Sequence, residues 1–187
     1  MKKIPNILTL IRLAVIPSFI LMLFYTSISS RWVFLILFAI ASITDFFDGF
    51  LARRYKITST FGRIFDSIAD KALIIILCIM VLLKDQSLAK IIIVPVMATI
   101  LRELIISGIR EGLSNQLIIK ASWIGKYKTT FQMLSIGFLI VGGYENSFYT
   151  NCLYVGIFLL YVSAILSLTS GFQYLIQSYK TLIDQKQ

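Results

Sequence analysis

Charges divide this chain into long, uninterrupted apolar runs, and that division limits the fold more than any other feature. The runs lie roughly at 9–27, 32–53, 65–84, 88–110, 126–143 and 150–176. Each is close to the ~20 residues an α-helix needs to cross a hydrocarbon layer about 30 Å thick. Inside lipid every backbone N–H and C=O must find a partner within the protein, so such runs are expected to be helices. Hydrophobic residues make up 58% of the 187, and the mean hydropathy is +0.86. Soluble domains are nearer ~45–50% apolar. Neither a flexible tether nor an internal repeat interrupts the pattern. The expectation is one all-α, polytopic membrane domain over residues 1–187, with six transmembrane helices. A short N-terminal interfacial helix is expected in "IPNILTLIRLAVIP", where Asn6, Thr9 and Arg12 stand among apolar residues.

The 18 Lys and Arg exceed the 9 Asp and Glu, for a net charge of +9. The excess falls between the runs. Lys2 and Lys3 precede the first, Arg53, Arg54, Lys56 and Arg63 follow the second, and Arg110, Lys120, Lys126 and Lys128 surround the fourth connection. The alternate connections offer Arg31, then Lys84 and Lys90 around Asp85, then only Glu145. This alternation puts both termini on the cytoplasmic side. Topology and anionic headgroups therefore explain the charge, and a nucleic-acid partner is not expected. The opening "MKK" before an apolar run resembles a signal peptide, but no small-residue cleavage site follows, so the segment is expected to be retained. Cys78 and Cys152 lie within apolar runs and read as packing residues. Histidine is absent, which excludes His-based triads, His general bases and His-containing zinc sites.

Against this background, "TDFFDGFLARRYKITSTFGRIFDSIADK" is anomalous, because it sets Asp45, Asp48, Asp66 and Asp70 between two very apolar regions. Spacings of three and four put each pair on one face of its helix. A short connection on one side makes the two helices antiparallel neighbours, so the acidic faces can meet. Carboxylates held together near lipid are costly and need positive compensation. Oxygen ligands without His or Cys suit Mg²⁺ or Mn²⁺, and two such ions about 4 Å apart recur where displacement occurs at phosphorus. Gly49 follows Asp45 by four residues and Gly62 precedes Asp66 by four, which leaves room on the acidic faces for a ligand. With Ala52 beside them and Arg53 and Arg54 at the lip, the guest expected is a phosphate ester whose tail stays in lipid.

Simpler readings exist for each part. An isolated acidic pair near a helix end can reach water, small residues such as Gly49 and Ala52 can serve helix packing, and arginines can act only as topology signals. Four carboxylates with glycines on matching faces point beyond these to a site. A divalent-cation transporter would place its aspartates near mid-bilayer with access from both sides. These lie toward one face, beside arginines. A lipid-binding scaffold would need the basic surface but not the aspartate spacing.

The pattern Asp-x2-Asp-Gly-x2-Ala-Arg-x8-Gly-x3-Asp-x3-Asp runs without departure through Asp45, Asp48, Gly49, Ala52, Arg53, Gly62, Asp66 and Asp70. It resembles the signature of the CDP-alcohol phosphatidyltransferases, membrane enzymes with six spans. "IPNILTLIRLAVIP", "TDFFDGFLARR", "LRELIISGIRE" and "SWIGKYKTTFQM" extend the resemblance over most of the chain, toward the bacterial branch acting on glycerol 3-phosphate. The resemblance implies transfer of a phosphatidyl group from CDP-diacylglycerol to that acceptor, with CMP released. It implies that Asp45, Asp48, Asp66 and Asp70 ligate two divalent cations, Mg²⁺ or Mn²⁺, and that Asp70 is also the base. It further implies that Gly49, Arg53, Ser59 and Gly62 face CDP-diacylglycerol, and that Arg110 and Lys126 hold the acceptor phosphate. Arg102 is a further candidate there, with an ion pair to Glu103 as the competing explanation, and Asn6, Thr9 and Arg12 are candidates for the nucleotide or the interface. A homodimer in the bacterial inner membrane, with a cytoplasmic site, completes what is implied. Inositol phosphate, serine or phosphatidylglycerol would use the same signature as acceptors.

Overall fold

The computed structural model describes residues 14–25, 27–55, 60–112 and 123–184, with the backbone course alone for 45–55, 60–67, 70, 111 and 180–184. Among the described residues every regular element is helical. A 3₁₀ helix (Ile16–Leu23) is followed by α1 (Ile28–Tyr55), α2 (Thr60–Lys84), α3 (Gln86–Gly112), α4 (Trp123–Val141) and α5 (Ser147–Asp184). The expected all-α class is what the structure has. The runs at 32–53, 65–84, 88–110 and 150–176 lie inside α1, α2, α3 and α5. The run at 126–143 outlasts α4 by two residues, because the chain turns at Gly142 and Gly143. Residues 86–110 and 147–179 are long and apolar enough to cross a membrane, and α1 has a shorter apolar stretch over 28–44.

The first run is described only from residue 14. Its described part is not a spanning α-helix but a 3₁₀ helix of eight residues, about 16 Å long at ~2 Å per residue. Pro17 stands in its first turn and lacks an N–H, while the Ser18 hydroxyl donates to the Val15 carbonyl at 2.6 Å. Both features favour the tighter winding. A period of three then puts Ile16, Phe19 and Met22 on one buried face, which packs on α1 and α2. Most of the proposed interfacial helix, residues 4–13, lies outside the described residues.

The sharp reversals have identifiable causes. Asp85, the sole residue between α2 and α3, accepts from the N–H groups of Ser87 (2.6 Å) and Leu88 (3.2 Å), which caps α3. Asn146 caps α5 in the same way, accepting from Phe148 and Tyr149. At the end of α4 the Lys84 ammonium donates to the carbonyls of Leu139, Ile140 and Gly142 at 3.2, 3.1 and 2.6 Å. These are carbonyls a helix end would otherwise leave unpaired, where the dipole also favours a cation. Pro95 sits inside α3 and cannot donate to the carbonyl of Ile91. The Tyr161 hydroxyl of α5 donates to that carbonyl instead, at 2.7 Å. A proline inside a membrane helix is thus matched from the neighbouring helix.

The core joins Phe19, Phe34, Leu73, Leu77, Ile92, Ile136, Leu139 and Leu160 from all six elements. The outer faces are equally apolar, with Val94, Leu101, Phe158, Ile165 and Phe172 all more than half exposed. Water would penalise such a surface and lipid does not. The chain is a multi-pass membrane protein.

Opposite the ends bearing the aspartates, the buried Arg31 guanidinium is paired with Glu145, its Nη1 at 2.9 Å from Oε2 and its Nη2 on Oε1. Gly143 passes so close to this pair that any side chain there would collide with it. The hydrogen bond from Arg31 holds the Glu145 carboxyl below its ordinary range. A carboxyl whose folded value is depressed contributes stability above its ordinary range, and that contribution disappears as pH falls through the depressed value. Glu145→Gln is therefore expected to cost about 1 kcal/mol at neutral pH, the cost of an incompletely paired buried donor. Thermal melts in detergent should show wild type and variant converging in acid. A gap that persists unchanged there would mean the ion pair is not its source.

Candidate active site

The aspartates belong to α1 and α2, and both of these helices pack on α4. Three contacts give the α1–α4 register. Arg31 reaches the carbonyl of Gly142, Leu35 and Phe38 close on Gly137, and the Ser42 hydroxyl lies 3.8 Å from the Met133 sulfur. Advancing along α1 therefore means retreating along α4, so the two are antiparallel. Continuing past Ser42 in this register, the backbone of Asp45 is level with Thr130 and that of Asp48 with Tyr127.

The carboxyl end of α2 meets the carboxyl end of α4 through Lys84. Asp70 lies 14 residues before Lys84, and Lys126 lies 14 before Ile140. Both stand ~21 Å back along their helices at 1.5 Å per residue. By these registers the backbones of Asp45, Asp48 and Asp70 stand within ~6 Å of one another along the bundle axis, beside the first turns of α4, with Asp66 one turn nearer the α3–α4 connection. Their separation by three and by four within unbroken helices is as the sequence predicts. For Asp45, Asp48, Gly49, Arg53, Gly62, Asp66 and Asp70 the side chains lie outside the described residues, and Asn6, Thr9, Arg12 and Ser59 lie outside them altogether.

The cations can be followed in detail. Arg102 donates from Nε to the Ser167 carbonyl at 3.2 Å, from Nη2 to the Ser170 hydroxyl at 3.1 Å, and from Nη1 to Glu103 at 3.4 Å. Gly171 permits this, since a β-carbon there would press on the Arg102 side chain at 3.1 Å. Arg102 is held in the bundle by three partners, among them the neighbouring Glu103. Arg110 is exposed at the end of α3, its guanidinium 5.6 Å from the centre of the Tyr174 ring. Lys126 is exposed in the first turn of α4, its ammonium 4.3 Å from the centre of the Trp123 ring. Contacts of this kind hold a cation at the surface without neutralising it. Both residues flank the connection between α3 and α4 and remain open to a solute.

Sequence reasoning did not single out Lys128. It is 3% exposed, and its ammonium is paired with Glu103, which joins it to Arg102. The signal was available. Lys126 and Lys128 are two apart, so on a helix they cannot share a face, and Lys128, Gln132, Ser135 and Leu139 follow the i, i+4, i+7, i+11 spacing of a buried stripe. Arg102, Glu103 and Lys128 together carry one excess positive charge at the depth of the aspartates. Such a buried group persists only with good partners.

An apolar groove of about 360 Å³ runs between α1 and α4, lined by Trp32, Leu35, Phe38, Ser42, Met133 and Gly137 among others. Its Ser42 end lies one turn before Asp45. A polar, cation-flanked level therefore adjoins a lipid-compatible groove.

Comparison with known proteins shows the family. The family model for CDP-alcohol phosphatidyltransferase matches residues 2–169. A CDP-diacylglycerol–glycerol-3-phosphate 3-phosphatidyltransferase of Rickettsia typhi is 38% identical over 175 residues, covering 93% of this chain and 96% of that protein. The enzymes of the same name from Escherichia coli K12 and Shigella flexneri serotype 5b are each 38% identical over 186 residues, covering 98% of both chains. A signature carried on two unbroken helices, within a match of this extent, places the chain in the CDP-alcohol phosphatidyltransferase family.

Proposed function

We propose that this protein transfers the phosphatidyl group of CDP-diacylglycerol to glycerol 3-phosphate, giving phosphatidylglycerophosphate and CMP. The observation that supports the reading is that the backbones of Asp45, Asp48, Asp66 and Asp70 lie toward one end of the bundle, the end that also carries Arg110 and Lys126 and adjoins an apolar groove. Lipid tails fit the groove, the nucleotide diphosphate fits the aspartate level, and a second phosphate ester fits Arg110 and Lys126. The near full-length likeness to enzymes named for this reaction supports the same choice of substrates.

The donor set of four carboxylates, in a chain without histidine, suits hard divalent cations. Asp45, Asp48, Asp66 and Asp70 would hold two of them, Mg²⁺ or Mn²⁺, which when bound neutralise charge on the transferring phosphoryl group and the departing CMP. Gly49 and Gly62 leave space beside the aspartates for the pyrophosphate, while Arg53 and Ser59 offer it donors. Asp70 takes the proton from the primary hydroxyl of glycerol 3-phosphate. That oxygen bonds to the lipid-linked phosphorus, and the bond from phosphorus to the CMP oxygen breaks. Asn6, Thr9 and Arg12 are assigned to the nucleotide side, and Arg102 supports the acceptor site through Glu103.

The basic connections support a cytoplasmic position for this level and both termini, at the bacterial inner membrane. A homodimer is what the family resemblance implies.

Purified protein given CDP-diacylglycerol, glycerol 3-phosphate and Mg²⁺ is expected to release CMP. In a competition including glycerol, inositol phosphate and serine, glycerol 3-phosphate should be consumed first. Preference for another alcohol would keep the reaction type and reject this acceptor. Arg110→Ala and Lys126→Ala are each expected to raise the KM for glycerol 3-phosphate about ten- to a hundredfold, the equivalent of one charge-assisted hydrogen bond. The KM for CDP-diacylglycerol should move much less. An equal rise in both would remove the residue from the acceptor site.

A further inference from the structure

The two open cations are supported differently. Lys126 rests on Trp123, three residues earlier on the same helix, so α4 alone supplies that contact. Arg110 rests on Tyr174, which belongs to α5. That contact exists only because the fold brings two helices together in one register.

The register can be followed through three contacts. The Tyr161 hydroxyl donates to the Ile91 carbonyl at 2.7 Å. Farther on, Arg102 donates to the Ser167 carbonyl at 3.2 Å and to the Ser170 hydroxyl at 3.1 Å. Arg110 then lies 5.6 Å from the centre of the Tyr174 ring. Each advance along α3 is an advance along α5, so the two helices are parallel. They do not end together. Arg110 stands in the last turn of α3, which stops at Gly112, whereas α5 continues past Tyr174 to Asp184. An arginine at a helix end thus meets a half-buried ring carried on an unbroken helix. The α5 backbone is packed there as well, for the Ser178 hydroxyl, 4% exposed, donates to the Tyr174 carbonyl at 2.9 Å.

The kind of partner matters. Inside the bundle Arg102 and Lys128 share the Glu103 carboxylate, which occupies their donors and offsets their charge. Among the described residues no carboxylate is paired with Arg110. A ring face holds a guanidinium by its plane and leaves the N–H groups at its edge to bond elsewhere. We infer that Tyr174 is a positioning residue for the acceptor, its ring holding Arg110 with donors free for the phosphate. The inference rests on the acceptor site proposed above. Ordering the arginine beforehand removes that entropy loss from the binding step, so the ring acts on acceptor affinity and not on the chemistry.

The test is steady-state kinetics of the full chain in detergent with CDP-diacylglycerol and glycerol 3-phosphate. Tyr174→Leu should raise the KM for glycerol 3-phosphate about two- to fivefold, the equivalent of one cation–π contact at an exposed site. Its kcat and its KM for CDP-diacylglycerol should stay near wild type, which also shows that the variant is folded. Tyr174→Phe keeps the ring without the hydroxyl and should behave as wild type. In an Arg110→Ala background, Tyr174→Leu should add nothing to the rise in KM, because the ring acts through the arginine. An unchanged KM in Tyr174→Leu, an equal rise in both KM values, or a full further rise without Arg110 would each overturn the inference. A loss in Tyr174→Phe as large as in Tyr174→Leu would overturn it too, by assigning the effect to the hydroxyl. Arg110→Ala with an unaltered KM for glycerol 3-phosphate would refute the acceptor site and this inference with it, whereas the Tyr174 results alone leave that site standing.

Discussion

Asn in place of Asp45, Asp48 or Asp66 is expected to abolish turnover while membrane insertion, helical content and thermal stability in detergent stay near wild type. The substitution keeps the shape of the side chain and removes its charge. A divalent cation near lipid needs that charge, because an amide oxygen offers a dipole where the site must offset a full positive charge. Removing one carboxylate from a site of four also raises its net charge, so the remaining ligands cannot compensate by moving closer. Stability should be little affected or even improved, since the four positions lie toward one end of the bundle, where their carboxylates repel without a cation. Two measurements check this. CMP release should fall below detection, and protection by Mn²⁺ against thermal unfolding, expected in wild type, should vanish. A folded variant within a few-fold of wild-type activity would remove its residue from the metal site. Loss of activity with metal protection intact would move it from holding cations to contacting substrate.

The helices were largely legible because lipid gives the backbone few options. A run near ~20 apolar residues has no solution inside the bilayer other than a helix, and α1, α2, α3 and α5 enclose the predicted runs. For the first run, hydrophobicity told of a helix but not of its winding. Ile16, Phe19 and Met22 recur every three residues, which is the repeat of a 3₁₀ helix, and Pro17 supports that winding. Pro95 illustrates the opposite limit. The apolar run at 88–110 already implies that the helix continues through it, but the partner for the freed carbonyl is Tyr161, in another helix, and cannot be read locally.

At the candidate site, a spacing could be read but a side chain's environment could not. The aspartate pattern is local, and its three- and four-residue steps have meaning on any helix. The spacing of Lys126 and Lys128 in "GKYKTT" puts them on different faces, but it does not show that one rests on Trp123 at the surface and the other is buried against Glu103. The difference follows from which face of α4 meets α3 and α5, a fact set by packing. Arg102 shows the same limit. As a basic residue near the acceptor end it is a reasonable phosphate ligand, but packing gives it the Ser167 carbonyl, the Ser170 hydroxyl and Glu103.

Asp70→Asn is expected to behave differently from the other three, with kcat falling about 10²–10⁴-fold, the usual contribution of a general base. The reason is elimination combined with position. A primary hydroxyl must lose its proton as its oxygen bonds to phosphorus, and with no histidine in the chain a carboxylate is the natural acceptor near neutral pH. Asp70 is the farther of the two α2 aspartates from the α1–α2 connection, and its backbone is level with Lys126 in the register through Lys84. That puts it, like Asp48, beside one of the acceptor's cations. Asparagine preserves the volume and one oxygen, so binding of CDP-diacylglycerol should change by only a few-fold while the proton has no acceptor. The decisive comparison is single-turnover CMP release at saturating substrates, alongside the dissociation constant for CDP-diacylglycerol. A large loss in the first with little change in the second identifies Asp70 as the base. Weak binding of CDP-diacylglycerol with an intact rate at saturation would reduce it to a ligand and require another group to take the proton. The remaining carboxylates at that end of the bundle, Asp45, Asp48 and Asp66, would then have to be tested in turn by the same pair of measurements.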